Sequence, residues 1–216
     1  MNAPTRKPGR PRDPLREARR KEEILACAAA QFAQAGYATT DVGDIADAVG
    51  VGKGTIYRYF PTKQELFLAA VDAGLRELAD ALNAKLLDES LPPLEAFAQT
   101  VRAYLAFFHR RPDMVELFIQ ERAAFRDRHT PLYFAPRDDC DAAGFAAELI
   151  ASGHVRPMPV EQFLDVVGNV LYGTIMTNHL AGKCPDPEAQ AAALLDVVLH
   201  GVLAPAKPKR KPKEQV

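Results

Sequence analysis

The sequence predicts an all-α protein of about nine helices, and three observations support this prediction. Apolar residues recur at helical spacing, as Ile24, Ala28 and Phe32 do near the N-terminus. Prolines separate long proline-free stretches and fall where a helix tolerates them, at its first turn. No segment alternates polar with β-branched residues for long enough to predict a strand.

The composition limits the class of protein. The 216 residues are 48% hydrophobic and 25% charged, as in one large or two small globular domains. No apolar run is long enough to span a membrane, and none follows the basic N-terminus as it would in a secretory signal. Cys27, Cys140 and Cys184 have neither disulfide-framework nor metal-site spacing. We therefore expect a cytoplasmic protein without a metal or cofactor.

Positive charge is concentrated at the two ends of the chain. Residues 1–22 contain eight Lys or Arg against three Asp or Glu, and residues 204–216 contain five against one. Both ends can therefore meet a polyanion, whereas the acidic body between them would be repelled by one. Residues 1–17 and 205–216 are expected to be a disordered basic arm and tail, and the alternative to contact with a polyanion is that they only keep the chain soluble.

Residues typical of helix ends predict where the first two helices lie. The first is expected from about Arg20 to Gly36, because glycine readily adopts the left-handed conformation that follows a helix C-terminus. Thr40 is expected to cap the second helix, since its hydroxyl can accept an unpaired backbone N–H. The expected buried face of the second helix consists of Val42, Ile45, Ala46 and Val49.

A sharp turn at Gly50-Val51-Gly52 leads to a short third helix from Lys53 to Phe60, and Pro61 begins the fourth. Two short helices joined by a glycine-containing turn have helix-turn-helix geometry. The third helix is expected to bury Ile56 and Phe60 and to expose donors suited to phosphates and base edges. These exposed residues are Lys53, Thr55, Tyr57, Arg58 and Tyr59. The alternative is a helix pair that packs without touching DNA.

This segment resembles the DNA-binding domain of the TetR family of regulators, over about residues 18–78 with the helix-turn-helix at about 41–60. The resemblance implies a homodimer that binds palindromic operator DNA, usually represses transcription, and is released by a small-molecule effector in its C-terminal domain. The matching positions are Thr40, Ile45-Ala46, Gly50-Val51, Lys53 to Tyr57, Tyr59-Phe60, Lys63 and Leu66.

The resemblance also implies individual DNA contacts. The positions that would face bases or nearby phosphates are Lys53, Thr55 and Arg58. The positions that would contact the DNA backbone are Thr40, Tyr57, Tyr59 and Lys63. In the arm, Lys7-Pro-Gly-Arg-Pro-Arg12 resembles the core of AT-hook segments, which implies that Arg10 and Arg12 enter an A·T-rich minor groove. A solvated arm is the alternative.

Residues 79–204 are expected to form the regulatory and dimerisation domain. In the last two predicted helices small residues lie among apolar ones, which allows close packing. The resemblance implies a four-helix dimer interface there, and an ordinary buried core is the alternative. Prolines and glycines predict helices near 62–88, 93–110, 112–127, 138–152, 159–181 and 186–203.

Polar and aromatic side chains on these otherwise apolar helices are candidates for an effector pocket. A pocket needs apolar walls with few polar anchors, and Arg122 with Tyr172 would suit a ligand carrying an acid or a hydroxyl. The alternative for each residue is packing in the core. Phe125 to Phe134 is expected to be a loop and a candidate gate. The pocket candidates are Tyr104, Phe108, Arg122, Phe125, Tyr172 and Met176, and His109 and His179 share these helices.

The sequence does not predict an enzyme. Asp138-Asp139-Cys140-Asp141 could hold a metal, but acids after proline indicate a helix start, where they suit the helix dipole. The five histidines do not form an HExxH pair. Besides an effector-released repressor, two readings stay open. One is a dimeric DNA-binding protein without a ligand, and the other is an activator or a partner-regulated adaptor.

Overall fold

The computed structural model describes residues 14–135, 137 and 139–200, and this part of the chain contains nine α-helices and no β-strand. The all-α prediction is confirmed. One turn of 3-10 helix, Leu132–Phe134, follows α6. The helices are α1 (Pro14–Ala35), α2 (Val42–Ala48), α3 (Lys53–Tyr59), α4 (Lys63–Leu86), α5 (Pro93–Arg110), α6 (Pro112–Ala124), α7 (Ala142–Ala151), α8 (Val160–Leu180) and α9 (Pro187–His200).

Several predicted residues lie outside the described part of the chain. These are residues 1–13 of the predicted arm, with Arg10 and Arg12, the tail over residues 205–216, and Asp138, whereas residues 14–17 of the predicted arm belong to α1. Among the described helices, none is long and apolar enough to cross a membrane. Within the same residues, no group of three or more His, Cys, Asp or Glu side chains could hold a metal ion.

Capping interactions define most helix ends. α1 starts at Pro14, earlier than the predicted Arg20, and ends as predicted before Gly36, whose φ is +88°. The prediction that Thr40 caps α2 is wrong. The Asp41 carboxylate is the cap and accepts the N–H of Gly43 (2.6 Å). The Thr40 hydroxyl instead donates to the carbonyl of Gly36 at the end of α1 (2.8 Å).

The later helices begin and end close to the predicted positions. Thr62 caps α4 by accepting the N–H of Glu65 (3.1 Å). α7 begins at Ala142 rather than near residue 138, because the Asp141 side chain caps it and accepts the N–H of Gly144 (2.8 Å). The acidic run at 139–141 thus precedes a helix, which is the non-catalytic reading of this segment.

One hydrophobic core runs from the N-terminal helices into the C-terminal bundle. In the N-terminal part, Phe32, Ile45, Ile56 and Phe67 are completely buried. α5 packs against α4, α8 and α9 in the C-terminal part. α6 contacts α1, α4 and α8, so it connects the two parts. A side-chain hydrogen bond from Gln120 of α6 to the carbonyl of Phe32 in α1 (2.9 Å) reinforces this connection.

Candidate nucleic-acid interface

α2 and α3 are joined by a tight turn. Gly50 has a φ of +66°, a left-handed conformation that favours glycine. The N–H of Val51 donates to the carbonyl of Ala46 (2.9 Å), and the Val51 side chain packs on the core. Arg20 of α1 donates to the carbonyl of Val49 at the C-terminal end of α2 (3.3 Å). The arrangement is a helix-turn-helix whose turn is also held from α1.

The outward side of α3 carries the predicted donors. Ile56 is completely buried and anchors the helix, whereas Lys53, Tyr57 and Arg58 are exposed. Thr55 and Tyr59 are half-buried. The Arg58 guanidinium lies 5.0 Å from the centre of the Tyr59 ring, where cation and π-system attract each other. The Arg58 side chain is thus partly ordered by its neighbour before any partner binds.

Lys53 is linked to the N-cap of α2. Its ammonium lies 2.7 Å from the Asp41 carboxylate, and both side chains are exposed. The hydrogen bond from Lys53 lowers the pKa of Asp41, and the N–H of Gly43 lowers it further. The same contact with Asp41 raises the pKa of Lys53. Asp41 therefore both caps α2 and positions Lys53, a role that the sequence analysis did not predict.

The two predicted DNA-backbone contacts outside α3, Lys63 and Thr40, differ in exposure. Lys63 is half-buried at the start of α4, with its ammonium 4.9 Å from the centre of the Tyr37 ring and 3.1 Å from the carbonyl of Ala38. Thr40 is only 6% exposed, and its hydroxyl is used within the chain. The exposed surface of α3 and the start of α4 is thus basic and aromatic, while Asp44 and Asp47 are exposed on α2 behind it.

Comparison with known proteins agrees with this geometry. The family model described as bacterial regulatory proteins, tetR family, matches residues 24–70, which run from α1 through the helix-turn-helix into α4. The repressor KstR2 of Mycolicibacterium smegmatis is 31% identical over 120 residues, covering 54% of this chain and 57% of KstR2. The regulator RutR of Escherichia coli K12 is 29% identical over 182 residues, covering 82% of this chain and 80% of RutR.

The chain contains a TetR-family domain at residues 24–70. It is a DNA-binding transcriptional regulator, and its relatives are regulators rather than enzymes, in agreement with the sequence analysis. The structure of FadR from Bacillus subtilis in complex with stearoyl-CoA matches with a TM-score of 0.67 at 18% identity, covering 84% of this chain and 99% of FadR. PfmR from Thermus thermophilus, a TetR family regulator, gives a TM-score of 0.63 at 24% identity, with the same coverage.

The C-terminal part of the protein contains an aromatic cluster, made of Tyr104, Phe108, Phe118, Tyr133 and Tyr172. Tyr133 comes from the 3-10 turn and stacks against Tyr172 at 4.8 Å between ring centres. The hydroxyls of Tyr104 and Tyr133 are 2.7 Å apart. Burial raises the pKa of Tyr104 well above its usual value and that of Tyr133 to about 12. The two hydroxyls therefore stay neutral and share one hydrogen bond.

The six effector-pocket candidates do not lie together. Tyr104, Phe108 and Tyr172 belong to the aromatic cluster. Arg122 is exposed and donates to the carbonyl of Arg128 (3.3 Å). Phe125 packs instead against the N-terminal helices, 4.9 Å from the ring centre of Tyr37 and 5.6 Å from that of Phe67. Met176 is half-buried against the core.

Glu121 is a buried carboxylate that the sequence analysis did not select. It is 2% exposed, its Oε1 accepts the N–H of Leu132 (3.0 Å), and its Oε2 has no hydrogen-bond partner. Burial raises its pKa, and the Leu132 N–H and the nearby Arg128 partly offset this shift. The spacing of apolar residues in the sequence could have identified Glu121 as buried, because it follows Met114, Leu117 and Phe118 on the buried face of α6. Glu121 ties the segment after α6 to that helix.

A cavity of about 200 Å³ lies at the end of the C-terminal bundle that adjoins α6. It is lined by the end of α5, the start of α6, the end of α8, the segment between α8 and α9, and the start of α9. Of the pocket candidates and the two histidines named with them, Phe108, His109 and His179 line it. The cavity and the aromatic cluster thus meet at Phe108, whose ring belongs to both.

Proposed function

We propose that this chain is a cytoplasmic, homodimeric repressor that binds palindromic operator DNA and is released from it by a small-molecule effector. Residues 18–78 are assigned to DNA binding, and residues 79–204 to effector binding and dimerisation. The basic segments 1–17 and 205–216 flank these two units. Arg10 and Arg12 are proposed to enter the minor groove beside the site that α3 occupies.

The observation that carries the proposal is the outward face of α3. A short helix anchored by the buried Ile56 presents Lys53, Tyr57 and Arg58 to solvent on one side. Helix-turn-helix proteins place such a helix in the major groove, where arginine and lysine donate to guanine and to phosphates. We assign base or nearby phosphate contacts to Lys53, Thr55 and Arg58, and backbone contacts to Tyr57, Tyr59 and Lys63.

Thr40 is left out of this set. With 6% exposure and a hydroxyl that donates to Gly36, its side chain would have to break an internal hydrogen bond to reach a phosphate. Lys63 lies at the same end of the surface and has an ammonium that can turn from the carbonyl of Ala38 to a phosphate. Lys63 is therefore the better backbone contact there.

The relatives support repression and release by a ligand. KstR2 is a transcriptional repressor. The fold of this chain is shared by FadR, whose structure contains stearoyl-CoA, and by a structure described as the molecular basis for control of antibiotic production by bacterial hormones. In this chain α6 contacts both α1 and α8, which gives a change in the C-terminal bundle a direct route to the DNA-binding helices.

The test is operator binding by variants of α3. Operator fragments are selected from genomic DNA with the full-length chain, and affinity is measured by fluorescence anisotropy over a range of salt concentrations. Arg58→Ala is expected to weaken binding by about tenfold or more, because a lost base contact costs about 1–3 kcal/mol. Lys53→Ala is expected to reduce the salt slope by about 0.9 for its one phosphate.

Arg156→Ala is the matched control, because Arg156 is exposed between α7 and α8 and its loss changes the charge equally. Circular dichroism confirms that each variant stays folded. Unchanged operator affinity in both α3 variants would refute the placement of α3 on DNA.

A further inference from the structure

The cavity beside α6 has an apolar floor. Leu105, Phe108, Val115 and Ile175 contribute to its lining, and all four are buried in the core. Its volume of about 200 Å³ is below the range of about 300–1,000 Å³ that holds drug-sized ligands. A compact molecule with one ring or a short chain suits this space, and a long acyl chain does not.

The polar part of the lining favours a negative charge. It includes Lys183, His109 and His179, and none of the residues that line the cavity is Asp or Glu. The amides of Asn178 and Gln190 are also at the lining, where they hydrogen-bond each other at 3.0 Å. The Lys183 ammonium and two imidazole rings therefore meet an apolar floor, which is the combination that a carboxylate on an apolar body requires.

The His179 side chain is held in place by a contact with α6. Its Nε2 lies 3.1 Å from the Glu116 carboxylate of α6, and Gln120 donates to the other oxygen of Glu116 (2.9 Å). The hydrogen bond from Gln120, followed by that from His179, lowers the pKa of Glu116, so this carboxylate stays charged. Gln120 also donates to the carbonyl of Phe32 in α1. A chain of contacts thus leads from the cavity through α6 to a DNA-binding helix.

We infer that this cavity binds a small carboxylate with a compact apolar body, of the size of benzoate or phenylacetate, and that it is the effector site of the protein. The apolar body lies on the floor, and the carboxylate meets Lys183 and His109 at the rim. Binding shifts the start of α6, where Pro112 and Val115 line the cavity, and α6 passes the shift to α1. The effector role rests on the proposed function, whereas ligand binding itself does not.

Calorimetry with the full-length chain tests ligand binding directly. Benzoate and phenylacetate at up to millimolar concentrations are expected to bind and to raise the unfolding temperature. Benzamide, the neutral analogue, is expected to bind at least about threefold more weakly. Lys183→Met keeps an apolar stem and removes the charge, and should weaken binding by about three- to fivefold, as for an exposed ion pair. Lys85→Met is the matched control, on α4 away from the cavity, and should bind as the unaltered chain does.

Operator release separates this inference from the proposed function. Phenylacetate is added to the complex of the protein with its selected operator, and release is followed by anisotropy. Release that is weaker in Lys183→Met than in Lys85→Met supports the effector site. A protein that binds its operator but neither carboxylate overturns this inference and leaves the proposed function intact. The inference is also overturned if the chain binds stearoyl-CoA but neither carboxylate, and if Lys183→Met does not affect stearoyl-CoA binding. If the chain binds a carboxylate but binds no operator DNA, the proposed function is refuted instead.

Discussion

The buried Glu121 carboxylate holds the segment after α6 against that helix, and its burial makes the ionised form of the carboxyl group less favourable. Burial raises the pKa of this carboxyl, so the folded chain binds its proton more tightly than the unfolded chain does. Stability therefore falls as the pH rises from the unfolded pKa through the folded pKa. The contribution of Glu121 is fully present below that window and is lost above it.

Glu121→Gln is expected to remove this pH dependence, because the amide keeps an oxygen for the Leu132 N–H and cannot ionise. The unfolding temperature of the variant, relative to the unaltered chain, should increase between about pH 4 and pH 8. Thermal unfolding by circular dichroism measures it. Glu148→Gln, an exposed position on α7, is the control and should give a flat difference. A flat difference for Glu121→Gln as well would mean that its ionisation carries no folding cost.

The sequence predicted single residues well where their environment is local. Gly36 after α1 and Ile56 inside α3 follow from neighbours within one or two turns of helix. Thr40 and Asp41 are adjacent and both suit an N-cap, and the choice between them depended on the carbonyl of Gly36, which a spacing rule does not locate. The ion pair between Asp41 and Lys53 likewise needs the fold of the whole helix-turn-helix.

Among the elements, α4 and α6 pack against each other at Gly74. A Cβ placed on Gly74 would overlap the Sδ and Cε atoms of Met114, which is completely buried. Glycine inside a helix normally costs stability relative to alanine. Its presence at this position is explained by the contact between the two helices.

Gly74→Ala is expected to be less stable than Gly54→Ala by about 1–3 kcal/mol, because the added methyl group overpacks the contact with Met114. Urea unfolding measures the change. Gly54→Ala is the matched control, because no atom lies within 4 Å of the Cβ it would add in α3. There the helix preference of alanine should raise stability by up to about 1 kcal/mol. A gain of stability in both variants would show that Met114 moves aside freely.

The helix starts could be predicted from the sequence, whereas the packing of the segments between helices could not. Prolines at the starts of α5, α6 and α9 located those helices, because proline suits a first turn. The path of the chain from Phe125 to Phe134 has no periodicity, so the packing of Phe125 against Tyr37 was not predicted. The cavity, whose lining comes from four helices, was equally hidden, although Phe108, His109 and His179 were considered.

At the scale of the whole molecule, the outer faces of α8 and α9 remain apolar and exposed. Val166 is 54% exposed and Val197 is 49% exposed. A Cβ added at Gly168 or Gly173 of α8 would meet no atom within 4 Å, so a second chain can approach this surface closely. Pairing these faces across a two-fold axis would bury the valines. Binding of such a dimer to a palindromic operator would require its two α3 helices to lie one DNA turn apart, about 34–36 Å.

Val197→Glu is expected to convert the dimer to a monomer at micromolar concentration, because each interface would then bury two uncompensated carboxylates related by the two-fold axis. Operator affinity should fall by about a hundredfold or more, since only one half-site can be held at a time. Analytical ultracentrifugation and anisotropy measure the two effects. Leu87→Glu is the control, because Leu87 is 68% exposed after α4 and should leave the dimer intact. A Val197→Glu variant that stays dimeric would place the interface on another face, and the spacing of the two α3 helices would then need a different geometry.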